Sequence, residues 1–291
     1  MARQDSSSGK SSLTPAQGDY QADISLHERR LAKARKSGDR VGEGNALGNL
    51  GNAYDSMGEY RRAIEFHAQH LAIAKEIGNR SDEGNALGNI GLAYFSLGEY
   101  RRSIEFYEQS LAIARKIGDH LGEAHALGNI GNAYDSLGEY ARAIEFHEQS
   151  LAIAREIRDR SCVGCAIGNI GNSYFALGEH ARAIEYYKQS LAIAQEVGDR
   201  TCEANELGNI GNAYFSLGEL ERSLEFHELH LAISREIGDR LGEGTALYGL
   251  SLSLHRLGRR NEAMPLAKSA LELYEVIGHP YAYLVRHRFG L

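Results

Sequence analysis

Four stretches hold residue types that could do chemistry. Residues 42–54, GEGNALGNLGNAY, resemble a phosphate-cradling loop, but the spacing is G-x-G-x-x-x-G. A dinucleotide loop wants G-x-G-x-x-G after a strand, with an acidic residue about 20 positions on. SSSGKSS (residues 6–12) echoes the end of another phosphate loop, yet the glycine required five residues before Gly9 is Gln4. Cys162 and Cys165 form CVGC, and Cys202 follows Cys162 by 40 residues. At a helix start the dipole can lower a thiol pKa, but a zinc site wants four ligands and the chain has 3 cysteines. His67 with His70, and His227 with His230, make H-x-x-H pairs on one helix face. No carboxylate row accompanies them, so packing between helices is the better reading. No nucleophile, base and orienting acid recur together, so the chain reads as a non-enzyme without metal or cofactor.

The elements that carry these residues decide among the readings, and they follow from a repeat. The stretch from Ala46 to Arg80 returns at Ala86, Ala126, Ala166 and Glu206, always 40 residues on, and a drifted sixth copy starts near Leu241. Within each copy the apolar residues run at helical spacing in two blocks. Leu47, Leu50 and Tyr54 mark the first, and Leu71, Ile73 and Ile77 the second, so each block has one face to bury. Gly58 separates the blocks. Gly78 supplies a left-handed cap, and Asn79, usually Asp in the other copies, caps the next helix. Each copy is therefore a helical hairpin, helix A then helix B. One hairpin cannot bury both faces, so the copies stack as an all-α solenoid. The glycine at 51, 91, 131, 171 and 211 costs about 1 kcal/mol of helix propensity each time relative to Ala, which marks it as a packing residue. The phosphate-like stretch is thus read as helix A.

Composition adds exclusions. The 3 prolines, at 15, 265 and 280, leave 21–264 free of that helix breaker. The polar start lacks a signal core and no apolar run reaches membrane-span length, so an intracellular, cytoplasmic protein without membrane contact is expected. Three cysteines fit a reducing compartment. A net charge of −7 gives no general attraction to nucleic acid.

Leu50-Gly51, Tyr54, Gly58, Tyr60, Ala63 and Ile64 sit as in the tetratricopeptide repeat, L-G-x-x-Y, then G-x-Y, then A, and the chain resembles that family over residues 18 to 280. The proline that usually ends helix B is absent, so LAIAKEIG extends it by about two turns and lengthens the repeat to 40 residues. This long form is similar to the repeats of Pins-type G-protein-signalling modulators and of bacterial sensor arrays. The resemblance implies a right-handed α-solenoid whose A helices line a concave groove. The expected organisation is a disordered tail over 1–17, a lone helix B over 18–40, six repeats over 41–280 and a capping helix over 281–291.

On that resemblance the groove face of helix A is formed by Asn45, Gly48, Asn49, Asn52, Asp55 and Ser56 with their equivalents. Asn49, Asn89, Asn129, Asn169 and Asn209 form one row. Asn52, Asn132, Asn172 and Asn212 form a second, interrupted by Leu92. Asparagine is a mediocre helix former, and its amide both donates and accepts, which suits an extended peptide backbone. A third row varies: Asp55, Phe95, Asp135, Phe175, Phe215 and His255. Its phenylalanines offer apolar pockets, and Asp55, Asp135 and Glu206 favour a cationic ligand residue. The expected function is a scaffold or sensor module that binds a peptide or helical segment of a partner protein. The alternative is a structural protein that self-associates end to end, as a homo-oligomer through the open N-terminal half-repeat.

Overall fold

A computed structural model of the chain describes residues 15–291. Among the described residues every regular element is a helix, and none is long and apolar enough to cross a membrane. The chain divides into two units, one reaching Gly122 and the other running Glu123–Leu291. The first contains α1 (Pro15–Ser37), α2 (Arg40–Ser56), α3 (Tyr60–Ile77), α4 (Arg80–Ser96) and α5 (Tyr100–Ile117). Helix α6 (His120–Ser136) begins at the division. The second unit continues with α7 (Tyr140–Glu156), α8 (Arg160–Ala176), α9 (His180–Val197), α10 (Arg200–Leu217), α11 (Leu220–Ile237), α12 (Arg240–Arg256), α13 (Arg260–Val276) and α14 (Tyr281–Phe289). Each unit is a stretch of α-solenoid in which successive helices pack as antiparallel hairpins. Helix α1 begins at Pro15, so residues 15–17 of the expected tail are helical, and the rest of that tail lies outside the described residues.

The hairpin ends follow from two residues. The glycine after helix B is left-handed, as at Gly78 (φ 73°), whose amide returns to the carbonyls of Ala74 and Lys75. The next residue then caps helix A: Asp39 accepts from the Gly42 amide at 2.9 Å, and Asp159 does the same for Cys162. One copy breaks the rule, because Arg158 stands where the others have glycine and takes φ 58°.

The buried faces match the first apolar block, whereas in the second Ile73 is buried, Leu71 half-buried and Ile77, beside the helix end, exposed. In the first unit Ile24 and Leu31 of α1 pack with Leu47, Leu50, Tyr54 and Ile73. The second unit buries Leu151, Ile167, Ile170, Tyr174, Ile193 and Ile210 in one cluster. At its C-terminal end Val285 and Phe289 of α14 join Leu247, Leu254 and Tyr274. Tyr54 stacks on Phe66 at 5.2 Å, and the Arg62 guanidinium lies 4.9 Å from the Tyr54 ring while donating to Glu59. The same trio recurs as Tyr134, Phe146 and Arg142, so the arginine at the second position of each RR or AR pair covers an aromatic ring face as well as facing solvent.

Candidate binding surface

Gly42-Glu43-Gly44 lies in the first turns of α2, where a phosphate would need free amides. The Gly42 amide is already held by Asp39. Glu43 is buried, receiving Arg35 Nε at 2.8 Å and Arg40 Nη1 at 2.5 Å. These two arginines hold its carboxyl below the usual range, with Arg35 the larger influence, against the opposing effect of burial. The stretch is an anchored helix start whose Gly42 and Glu43 amides are both engaged by Asp39.

The later glycines are sockets. A Cβ on Gly51 would sit 2.4 Å from the His67 ring, on Gly91 2.7 Å from Tyr107, and on Gly131 2.5 Å from His147. Gly171 faces Tyr187 and Gly211 faces His227 in the same way, both at 2.8 Å. Helix B therefore inserts one flat ring against the bare backbone of helix A, and each of these rings is almost wholly buried. His70 and His230 occupy a second socket against Gly48 and Gly208. Among the described residues no group of three His, Cys, Asp or Glu could hold a metal ion. Burial pushes the His227 imidazole down to about 3 and also lowers His70 and His230.

The socket rings reach the variable row. His67 Nε2 lies 3.1 Å from Asp55 Oδ2, and His147 Nε2 lies 3.1 Å from Asp135 Oδ2. The Ser173 hydroxyl donates to the other oxygen of Asp135 at 2.7 Å. Asp55 and Asp135 are therefore turned inward, with side chains 17% and 23% exposed. Where the ring is a tyrosine the row carries phenylalanine. Phe95 meets Tyr100 edge-on at 5.3 Å, and Phe175 meets His180 at 4.9 Å. Phe215 lies under the Arg256 guanidinium at 5.2 Å.

The asparagine rows are exposed or half-buried on helix A. In the first unit Asn45, Asn49 and Asn52 are exposed, and Asn89 donates to Asn52 Oδ1 at 3.3 Å. In the second unit Asn172 Oδ1 accepts from the Tyr187 hydroxyl at 2.9 Å, and Asn209 Nδ2 lies 3.4 Å from Glu206. Asn129, Asn132, Asn169 and Asn212 are half-buried or exposed on this surface.

A cavity of about 510 Å³ opens among these residues in the second unit. Asn169, Asn172, Asn205, Asn209 and Asn212 line it, with Cys165, Cys202, His230 and Glu206. Glu206 is 6% exposed and receives the Ser190 hydroxyl on Oε1 at 2.8 Å. Burial raises its carboxyl to about 7, against the opposing pull of the Ser190 and Asn209 hydrogen bonds. Sequence placed Glu206 among free groove acids, but it is a buried one. The same burial raises the thiols of Cys162 and Cys202 to about 11 and shifts Cys165 upward, opposite to a thiol activated by a helix dipole. One turn before the first asparagines runs the row of Asn45 and its equivalents. In the second unit it reads His125, Cys165, Asn205 and Thr245, the first three exposed.

Known proteins with this pattern are numerous. The chain is similar to a tetratricopeptide-repeat sensor protein, the signal transduction ATPase PH0952 from Pyrococcus horikoshii, at 17% identity and a TM-score of 0.75, covering 94% of this chain and 42% of that one. It is similar to aspartyl phosphate phosphatase F from Bacillus subtilis at 16% identity and a TM-score of 0.71, covering 89% and 73%. The apo quorum sensor NprR from B. thuringiensis follows at 17% identity and a TM-score of 0.64, covering 94% and 83%. No curated protein matches the chain. Tetratricopeptide repeat family models match residues 46–81, 82–156, 162–236 and 202–275. These segments span most of the sequence, and the protein belongs to the tetratricopeptide repeat family.

Proposed function

We propose that the protein is a protein-interaction module, a scaffold or sensor, and that its helix A surfaces bind an extended segment of a partner. The observation that carries this reading is the row Asn129 and Asn169 on the second unit. Both amides are surface-accessible, sit at the same position of successive copies, and are not consumed by hydrogen bonds to other side chains of the described residues. An exposed amide in a helix interior costs propensity, and what it offers in return is a donor and an acceptor at fixed spacing for a peptide backbone. The sensor roles of PH0952 and NprR support the same class of function.

The test is selection from a display library of random peptides on the full chain, followed by fluorescence anisotropy on the selected sequences. Replacing Asn129, Asn132 and Asn169 by Ala removes up to three hydrogen bonds of about 1 kcal/mol each, so affinity should fall by about a hundredfold at unchanged helicity. Unaltered affinity in the triple variant, or no peptide selected at all, would refute the groove assignment.

A further inference from the structure

Position 206 departs from its copies in one informative way. The equivalent residues are Ala46, Ala86, Ala126, Ala166 and Ala246, all buried, and only the fifth copy replaces the methyl group with a carboxyl. Burying an acid at a helix–helix seam is unfavourable unless something compensates. The surroundings make room for it: a Cβ on Gly168 of α8 would lie 2.4 Å from Glu206 Oε1, and Ser190 of α9 donates to the same oxygen. The carboxyl therefore lies across the seam between two copies, beneath the cavity of about 510 Å³.

The cavity has no cation of its own. Its titratable lining is Cys165 on α8, Asp199 at the start of α10, Cys202 and Glu206 on α10, and His230 on α11, while α12 contributes Thr245. Neither Lys nor Arg lines it. His230 is an independent pointer: it is 4% exposed, and its Nδ1 has no hydrogen-bond partner. A neutral imidazole can offer that nitrogen as an acceptor. Asn169 and Asn205 add amide oxygens at the rim. The only ionisable lining charges are negative, and no cluster suited to a metal exists among the described residues. An anion is disfavoured throughout.

We infer that this cavity receives one cationic side chain of a bound segment, a lysine ammonium or an arginine guanidinium, with Glu206 as its counter-charge. The inference rests on the groove reading for the remainder of the ligand. The cation binds the ionised carboxyl, so occupancy and proton loss from Glu206 are coupled.

The coupling gives the test. The full chain, labelled with 13C at the glutamate carboxyls, is titrated with pH by NMR alone and with millimolar N-acetyl-lysine, N-acetyl-arginine or N-acetyl-norleucine N-methylamide. The expected result is that the Glu206 midpoint drops with the lysine or the arginine probe, or both, and not with the uncharged one. Which of the two acts identifies the source of the charge. Affinity for the active probe should fall about tenfold or more in Glu206→Gln, which keeps the shape, and in Glu206→Ala, which restores the residue of the other copies. A midpoint that none of the probes moves, or equal binding by Glu206→Ala, overturns the inference. These single-residue probes do not extend to Asn129 or Asn132, so a failure of the groove assignment would leave their result unchanged.

Discussion

Replacing Glu206 by Gln should change how stability depends on pH, and the size of the effect follows from burial. The carboxyl is raised from 4.5 to about 7 in the folded chain. Between those values the folded state holds a proton that the unfolded state has lost, so stability falls as pH rises. The full difference is about 3 kcal/mol at 1.36 kcal/mol per unit. Gln keeps an acceptor for the Ser190 hydroxyl and does not titrate. Relative to wild type, the variant should therefore gain about 3 kcal/mol between pH 4.5 and 7, with little further change above pH 8. The difference between proteins must be read, since the wild-type curve alone is distorted by His227. That imidazole is depressed from 6.5 to about 3, and its contribution is present above pH 6.5 and lost as pH falls toward 3. The two slopes oppose each other in the acidic range and cancel His227 only on subtraction. The assay is urea unfolding of the full chain, followed by far-UV ellipticity at closely spaced pH. A difference that stays flat from pH 4.5 to 8 would refute the assignment of Glu206 as a desolvated acid.

Two backbone predictions follow from the same repeat. Gly88 and Gly91 lie one turn apart on α4, but a Cβ on Gly88 meets only Ser110 Oγ at 3.6 Å whereas one on Gly91 meets the Tyr107 ring at 2.7 Å. Gly88→Ala should stabilise by up to about 1 kcal/mol through helix propensity, and Gly91→Ala should destabilise by roughly 1–3 kcal/mol through overpacking, both measured by denaturant midpoint. At the exceptional cap, Arg158 holds φ 58° where its copies use glycine. Arg158→Gly should raise stability by about 1 kcal/mol, because a residue with a Cβ is strained there; an unchanged midpoint would count against cap strain.

The hairpin was legible in the sequence because each of its determinants is local and is copied. The left-handed glycine, the capping Asp or Asn and the apolar spacing act within a few residues, and 40-residue repetition separates them from chance. The packing role of Gly51 was legible too, since a glycine costly to helix A must be compensated by contact. Side-chain orientation at the groove was less so. Asp55 and Asp135 share a face with Asn52 and Asn132 by helical spacing, yet they turn toward His67 and His147. The partner lies 12 residues away on helix B, and no periodicity within helix A reports it. Glu206 was misplaced for a related reason: it occupies an alanine position on the buried side of the helix, and a carboxyl was read by its charge before its register.

The copies nevertheless contain a record of that hidden pairing. Where the variable row has Asp, at 55 and 135, the socket ring is His67 or His147; where it has Phe, at 95 and 175, the ring is Tyr107 or Tyr187. An imidazole in a glycine socket has a second nitrogen to satisfy, and a carboxylate 12 residues upstream accepts from it. A phenol reaches further, as Tyr187 does to Asn172, and leaves room for an apolar neighbour. The fifth copy breaks the rule, pairing Phe215 with His227, and there the imidazole lacks a carboxylate and burial pushes its pKa down to about 3. Variation in this row is therefore tied to what fits beneath it, and a partner cannot select among its residues independently. The outer row, His125, Cys165, Asn205 and Thr245 in the second unit, also varies; its last three residues line the Glu206 cavity, and of these Thr245 is bonded to the buried Tyr274. On the proposed groove reading, discrimination between ligands is thus expected from that rim and the acid below it, and backbone capture from the asparagines.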